Sequence, residues 1–368
     1  MDLDARRVDL RSGVGEGRET MIRRQKKRYG PAQLLAITGM IAVVGVAHAT
    51  APDRQAAGGT TDPAPTPAPS VDAAPPRDRP VRLPARPVQV PFVLQDNLVR
   101  IEASIDGKRQ QVVLDSGAAA TIVDQAFARA HGLIEGRSVG DAAGAGATAQ
   151  ALRPVRFSSL AVGPLRFEQL DAYSVDLSHL SASAGFPVNL LIGAPAFKYG
   201  AVTVDYPRRR VTFGPSGSAE KCAAPIPLAI VDDAPIVEVQ LRPTPGAAPV
   251  RLRLLVDLGT RHAALTIGGP FLRTDAGAAM MRSGVARQVG HGIGGKVQGS
   301  VARVDELRIG PSTLRKLDVS LTSGVPAFET GVVDGSLGVP FWQSGAITFD
   351  YPARTLCITA ANGRDRVG

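Results

Sequence analysis

Aromatic residues are scarce in this chain, at 5 % with a single tryptophan, while 40 glycines and 29 prolines interrupt it. That balance argues against long packed helices and for β-structure with many turns. Only two cysteines are present, Cys222 and Cys357. Neither has a CxxC or Cys/His spacing, so no thiolate metal site is expected. None of the five histidines has an i, i+4 partner with a second ligand, so no metal is expected. The net charge of +9 comes partly from a basic leader and is otherwise spread along the chain. No base-reading motif accompanies it, so nucleic acid is not an expected partner. Gly136–Gly140 fits G-x-S-x-G, but an Ala/Gly-rich stretch follows where a nucleophile elbow needs a helix. Gly290–Gly295 fits G-x-G-x-x-G but opens no helix and lies in no βαβ unit, so no dinucleotide cofactor is expected.

The one long apolar run is terminal. "RRQKKR" at Arg23–Arg28 precedes "AQLLAITGMIAVVGVAHA", which ends in the small-x-small site Ala47-His48-Ala49. Residues 1–49 therefore read as an export signal, with an uncleaved membrane anchor as the rival. The expected location is periplasmic or extracellular, with inner-membrane anchoring the alternative. If the chain is exported, Cys222 and Cys357 can pair, tying a segment midway along the chain to its last strand. Residues 50–87 are rich in proline and alanine with no apolar period, which describes an extended tether.

From residue 88 the pattern becomes short alternating apolar runs, with Asp106-Gly107 marking a hairpin. It then repeats itself. Asp115-Ser116-Gly117 returns as Asp257-Leu258-Gly259. "VGPLRFEQLDA" returns as "IGPSTLRKLDV", "LIGAPAF" as "SLGVPFW", and "GAVTVDYPRRRVTF" as "GAITFDYPARTLCI". Four landmarks recur in one order at a nearly constant offset of about 145 residues, the mark of a duplication. The copies divide the chain into lobes at 88–216 and 217–362. Each reads as a hairpin leading into Asp-x-Gly, a short helix (clearest in "TIVDQAFARAHGL"), a Gly-rich loop, more strands, an apolar-apolar-Gly turn, and a strand ending in Asp-Tyr-Pro. An Asp-x-Gly alone is a common turn; its equivalent place in both copies makes Asp115 and Asp257 candidates for paired work.

Together, Asp115–Ala118, Leu191-Ile192-Gly193 and the "VTVDYPRRRVTF" strand, each with its counterpart, resemble the pepsin/retropepsin aspartic protease superfamily, and most of all its bacterial retropepsin-like members. The resemblance implies a mostly β, bilobal acid protease fold: two pseudo-symmetric β-barrel-like lobes with short helices, in a monomer. It implies an aspartic endopeptidase acting on a polypeptide, with no cofactor and no metal; the export signal would place that polypeptide in the cell envelope. Asp115 and Asp257 would be the catalytic dyad, sharing one proton because two adjacent carboxylates resist double ionisation. Ser116, Gly117, Ala118, Gly259 and Thr260 would form the supporting loops. Gly144, Gly146, Gly292, Gly294 and Gly295 would lie in flaps over the cleft. One residue departs from the family: Leu258 stands where a Thr or Ser hydroxyl usually ties the lobes together. The rival expectation is therefore a pepsin-fold peptide-binding protein without catalysis.

Overall fold

Two-residue turns set the first strands. Asp96-Asn97 and Asp106-Gly107 both have positive φ, the geometry that lets a tight hairpin follow the strand twist. They join Val88–Gln95, Leu98–Ile105 and Lys108–Leu114 into an antiparallel run. The structure, a computed structural model, describes residues 85–359 apart from 143, 147, 219–221 and 324. The expected leader and nearly all of the expected tether lie outside the described residues. No helix among the described residues is long and apolar enough to cross a membrane.

The first copy builds its sheet in the order Leu98–Ile105, Lys108–Leu114, Leu190–Ile192, Ile122–Asp124, Leu165–Val175, Gln150–Val162, Gly140–Ala142. The second copy uses the same order: Ala234–Arg242, Val250–Val256, Gly335–Leu337, Leu265–Gly268, Ser312–Thr322, Gly295–Ile309, Val285–Gly292. In each, the first strand also pairs with the longest hairpin arm and curls the sheet on itself. The structure is thus mostly β, with barrel-like sheets in two copies. The repeat seen in the sequence is a repeat of strand order.

A sheet joins the two copies. The strand Ala201–Asp205 of the first pairs antiparallel with Ala346–Asp350 of the second, in a register that places Thr203 opposite Thr348. Their hydroxyls meet at 2.8 Å, on a pseudo-twofold position. Arg210–Gly214 and Thr355–Thr359 flank this pair, so one sheet spans both copies. Aromatic pairs cross beside it. Trp342 Nε1 of the second copy donates to the Tyr206 hydroxyl at 3.2 Å, and Tyr351 stacks on Phe197 at 5.7 Å. Phe197, Phe213, Trp342 and Phe349 are all buried there, so the few aromatics are concentrated in the core. Cys222 and Cys357 form a disulfide, with Cα atoms 5.9 Å apart, fastening the inter-copy segment to the last strand.

One expected helix is shorter than its sequence suggests. Within "TIVDQAFARAHGL", Ile122–Asp124 is a strand and only Gln125–Ala130 is helical. The β-branched residues pair with Tyr173–Val175 and Leu190–Leu191, and this tertiary pairing outweighs the helical period. Asp124 caps the helix, accepting from Phe127 N at 2.9 Å, and Gly132 at φ +68 ends it.

Candidate active site

Each Asp-x-Gly leaves the end of a buried strand and is pinned by the apolar-apolar-Gly motif of its own lobe. Asp115 N donates to Ile192 O at 3.0 Å, and Asp257 N to Leu337 O at 2.9 Å. Behind the loops, Gly193 lies so close to the Ala118 and Ala120 carbonyls that any side chain would collide with them. Gly338 is likewise closed in by Ala263 and Thr260. Glycine is needed here for close approach of backbones.

The two loops meet face to face. A Cβ on Gly117 would run into Asp257 Oδ1. A Cβ on Gly259 would lie 2.9 Å from both carboxylate oxygens of Asp115. Each carboxylate thus sits over the glycine of the opposite loop. Both aspartates are fully buried, and the charge of Asp257 bears on Asp115.

Their surroundings are unequal. Asp257 accepts Gly259 N–H at 2.7 Å on Oδ1 and the Thr260 hydroxyl at 2.6 Å on Oδ2. Asp115 accepts Gly117 N–H at 2.9 Å on Oδ1, while its buried Oδ2 has no other donor among the described residues. The sequence difference is Ala118 against Thr260. Burial pushes the Asp115 carboxyl well above the usual carboxylate range. The charge of Asp257 and the hydrogen bond with it add to the rise, and the Gly117 and Ala118 N–H groups oppose it. Burial also raises Asp257, but the Thr260 hydroxyl, the Gly259 N–H and Asp115 pull it back. The Thr260 hydroxyl gives Asp257 a donor that Asp115 lacks, which favours the ionised form at Asp257 relative to Asp115.

The tie between the lobes is one-sided. Ser116 Oγ donates to Val256 O at 2.8 Å and accepts Leu258 N–H at 3.0 Å. No hydroxyl returns from Leu258, whose side chain is fully buried in the core. Thr260 does not replace it, since its hydroxyl serves Asp257 and approaches Ser336 Oγ at 3.2 Å, within its own lobe.

The glycine-rich segments of the two copies form hairpins. In the second copy most of the glycine-rich stretch is strand, and only a tight reversal at Gly292–Gly295 is a turn. Gly299 lies within the strand, opposite Arg287, and a Cβ there would strike the Leu321 carbonyl. In the first copy the arms pair at Gly140–Ala142 and Gln150–Leu152, leaving a longer tip that includes Gly144 and Gly146. The tips meet. Gly294 N donates to Ala145 O at 3.0 Å, Thr148 N donates to Gly294 O at 3.1 Å, and Gly146 bridges Gly294. They also cross over: Ile293 is buried in the first lobe's cluster with Ile122 and Tyr173, and Ala145 in the second lobe's with Ile236 and Phe328.

Reasoning from the sequence missed Arg261, which is 2 % exposed and reaches the first lobe's Asp96 and Ser183. No sequence signal marks it, because its counterpart in the first copy is Ala119. His262 stands beside Asp96, at 3.5 Å. Gly136–Gly140 leads into a strand rather than a helix, and the described residues hold no group of three or more His, Cys, Asp or Glu that could hold a metal. Asp205 and Asp350 serve turns, accepting Arg208 N–H and the Ser216, Gly217 and Ala353 donors respectively.

Residues 101–196 match the model of a family described as aspartyl protease. That stretch spans the Asp115 loop and the Leu191–Gly193 motif of the first lobe. A crystal structure of a retropepsin-like aspartic protease from Rickettsia conorii is similar at 14 % identity, over 36 % of this chain and 92 % of that one, with a TM-score of 0.26. No curated protein matches the chain. The family match supports an aspartyl protease reading of the first copy's motifs.

Proposed function

We propose that this chain, an aspartic protease at the level of its family, is an endopeptidase that cuts polypeptides with Asp115, Asp257 and a water. The observation that carries the reading is the meeting of two fully buried carboxylates, one from each copy of a duplicated lobe, each over the other loop's glycine. Burial of both is expensive unless a proton is shared, and a shared proton is what general acid–base chemistry on an amide needs.

The unequal surroundings favour one division of roles. Asp257, ionised and held by the Thr260 hydroxyl and Gly259 N–H, takes a proton from the water as its oxygen attacks the peptide carbonyl carbon. Asp115 gives its proton to the carbonyl oxygen, and a neutral gem-diol results. Asp257 then passes its proton to the amide nitrogen. As the C–N bond breaks, Asp115 recovers a proton from a diol hydroxyl. One carboxylic acid and one amine leave, and the pair again holds one proton. No side-chain nucleophile enters.

The closed flap tips imply a cycle: they part to admit a peptide and meet again to exclude water. The substrate would be a polypeptide met in the cell envelope if residues 1–49 act as an export signal, and the two lobes of one chain suffice for a monomer. The one-sided lobe tie at Leu258 favours a second reading, a peptide-binding protein that has lost catalysis.

The test is digestion of a peptide library by the full chain in 18O-labelled water, read by mass spectrometry from acid to neutral pH. New C-termini carrying the label, with no covalent enzyme adduct, support direct attack by water. A folded protein that cuts nothing at any pH, yet retains peptides, moves the reading to the binding protein.

A further inference from the structure

A nearly inaccessible arginine is costly unless each of its donors has a purpose. Arg261 lies four residues after Asp257, at the exit of the second active loop, and burial lowers its pKa. Its guanidinium reaches Asp96 with one nitrogen and Ser183 Oγ, at 2.9 Å, with another. Its backbone carbonyl accepts Asn97 Nδ2 at 2.8 Å. All three partners belong to the first lobe: Asp96 and Asn97 from the positive-φ hairpin turn after Val88–Gln95, Ser183 from the helix Ser178–Ala184. The second loop is therefore held from outside by both its main chain and its side chain.

This arrangement complements the tie beneath the dyad. Ser116 fixes the first lobe's loop to the second lobe's backbone, through Val256 O and Leu258 N. Leu258 offers nothing in return, and Ala119, the counterpart of Arg261, offers no charged group. The two anchorages are different in kind and sit on opposite loops.

On the basis of the proposed dyad chemistry, we propose that Arg261 is a positioning residue. With Asp96, Asn97 and Ser183 it forms an inter-lobe clamp that takes over the work of the missing hydroxyl at Leu258 and holds Gly259 and Thr260 in place to donate to Asp257. Loosening the clamp displaces those donors, and a displacement of about 1 Å can reduce a rate by as much as 100-fold. The titratable groups at this corner are Asp96, Arg261, His262, His291 and Lys296; those acting on or felt from Asp257 itself are Asp115 and Tyr351.

The experiment uses the full chain labelled with 13C at the Asp carboxyls, with Asp257 assigned through Asp257→Asn, and compares wild type with Arg261→Gln, Arg261→Lys and Asn97→Ala. The Asp257 titration is followed by NMR, and kcat and KM are measured on a peptide the wild type cuts. The Gly259 and Thr260 donors lower the Asp257 pKa, so their displacement must raise it. The expected result is an upward shift in Arg261→Gln and Asn97→Ala and a smaller one in Arg261→Lys. A fall in kcat of about tenfold or more, with KM within about twofold, should accompany it. Variants that melt earlier but keep the wild-type titration and kcat would overturn the proposal, leaving Arg261 a purely stabilising ion pair. If Arg261→Gln does not fold, Asn97→Ala decides alone. If the wild type cuts nothing, the enzymatic reading fails, and the clamp is judged by the titration: a shift upholds it and no shift overturns it.

Discussion

The Ser116 hydroxyl of the first lobe accepts the Leu258 N–H of the second at 3.0 Å, joining the residues that directly follow Asp115 and Asp257. The same hydroxyl donates to Val256 O. One oxygen therefore satisfies two buried backbone groups of the other lobe, and nothing answers from Leu258.

The first prediction follows from that imbalance. Ser116→Ala leaves a buried N–H and C=O without this partner, a loss of about 1–3 kcal/mol for each group left unsatisfied. The variant should melt earlier and lose most activity. Leu258→Thr offers a reciprocal hydroxyl while giving up buried apolar contact. Its melting temperature should fall as well, but its kcat should be kept or raised. Thermal unfolding and peptide hydrolysis on both variants check this, and an active Ser116→Ala would break the argument.

Thr260 is the donor that sets the two carboxylates apart. Thr260→Ala removes the 2.6 Å bond to Asp257 Oδ2, so Asp257 should hold its proton to higher pH. The acid limb of kcat/KM should move upward by about one to two pH units, the span of a hydrogen bond to a charged group. Thr260→Ser keeps the hydroxyl and should keep the limb. A pH–rate profile on the three proteins is the measurement.

The burial that primes the dyad should also weaken the fold. Asp115 has a folded pKa raised well above its unfolded value. The folded chain thus binds the proton more tightly, and stability is fully present below the unfolded pKa. It declines as pH rises through the unfolded value toward the folded one. Asp115→Asn removes that decline. At neutral pH the inactive variant should melt higher than wild type, with each 1 kcal/mol read as roughly 2–4 °C in a protein of this size. In acid the difference should vanish. A variant that melts lower at every pH would contradict the assigned shift.

Gly146 is where the flap tips close. Its φ of +121 is one a side chain resists, and a Cβ would land on the Gly294 carbonyl. Gly146→Ala should reduce kcat/KM by about tenfold or more through incomplete closure, and lower the melting temperature as Ala145 and Ile293 lose their seats in the opposite lobes' cores. Steady-state kinetics beside a melting curve separates these effects.

The repeat was legible because duplication preserves spacing. Asp115 and Asp257, the apolar-Gly motifs and the Asp-Tyr-Pro strands could be aligned by eye, and the matching strand orders follow that alignment. What could not be read was whatever depends on the other lobe. Ile122 and Val123 are β-branched, but the strands they pair with, Leu165–Val175 and Leu190–Ile192, lie far along the chain and nothing local names them. Glycines of the second flap look like a loop, yet Gly299 is a strand residue needed for close backbone packing. Arg261 looks like an ordinary surface arginine until Asp96, Asn97 and Ser183 surround it, and nothing in its neighbours' sequence announces burial. The sheet joining Ala201–Asp205 to Ala346–Asp350 is likewise invisible to a reading that divides the chain between the copies.

The account rests on two carboxylates acting as one unit, and the most direct measurement is peptide hydrolysis by wild type, Asp115→Asn and Asp257→Asn, each shown to be folded, across acid to neutral pH. The prediction is a bell-shaped profile for the wild type and no cleavage by either variant at any pH. Cleavage that survives in either folded variant would contradict the account, because a single carboxylate cannot both take the water's proton and protonate the carbonyl oxygen.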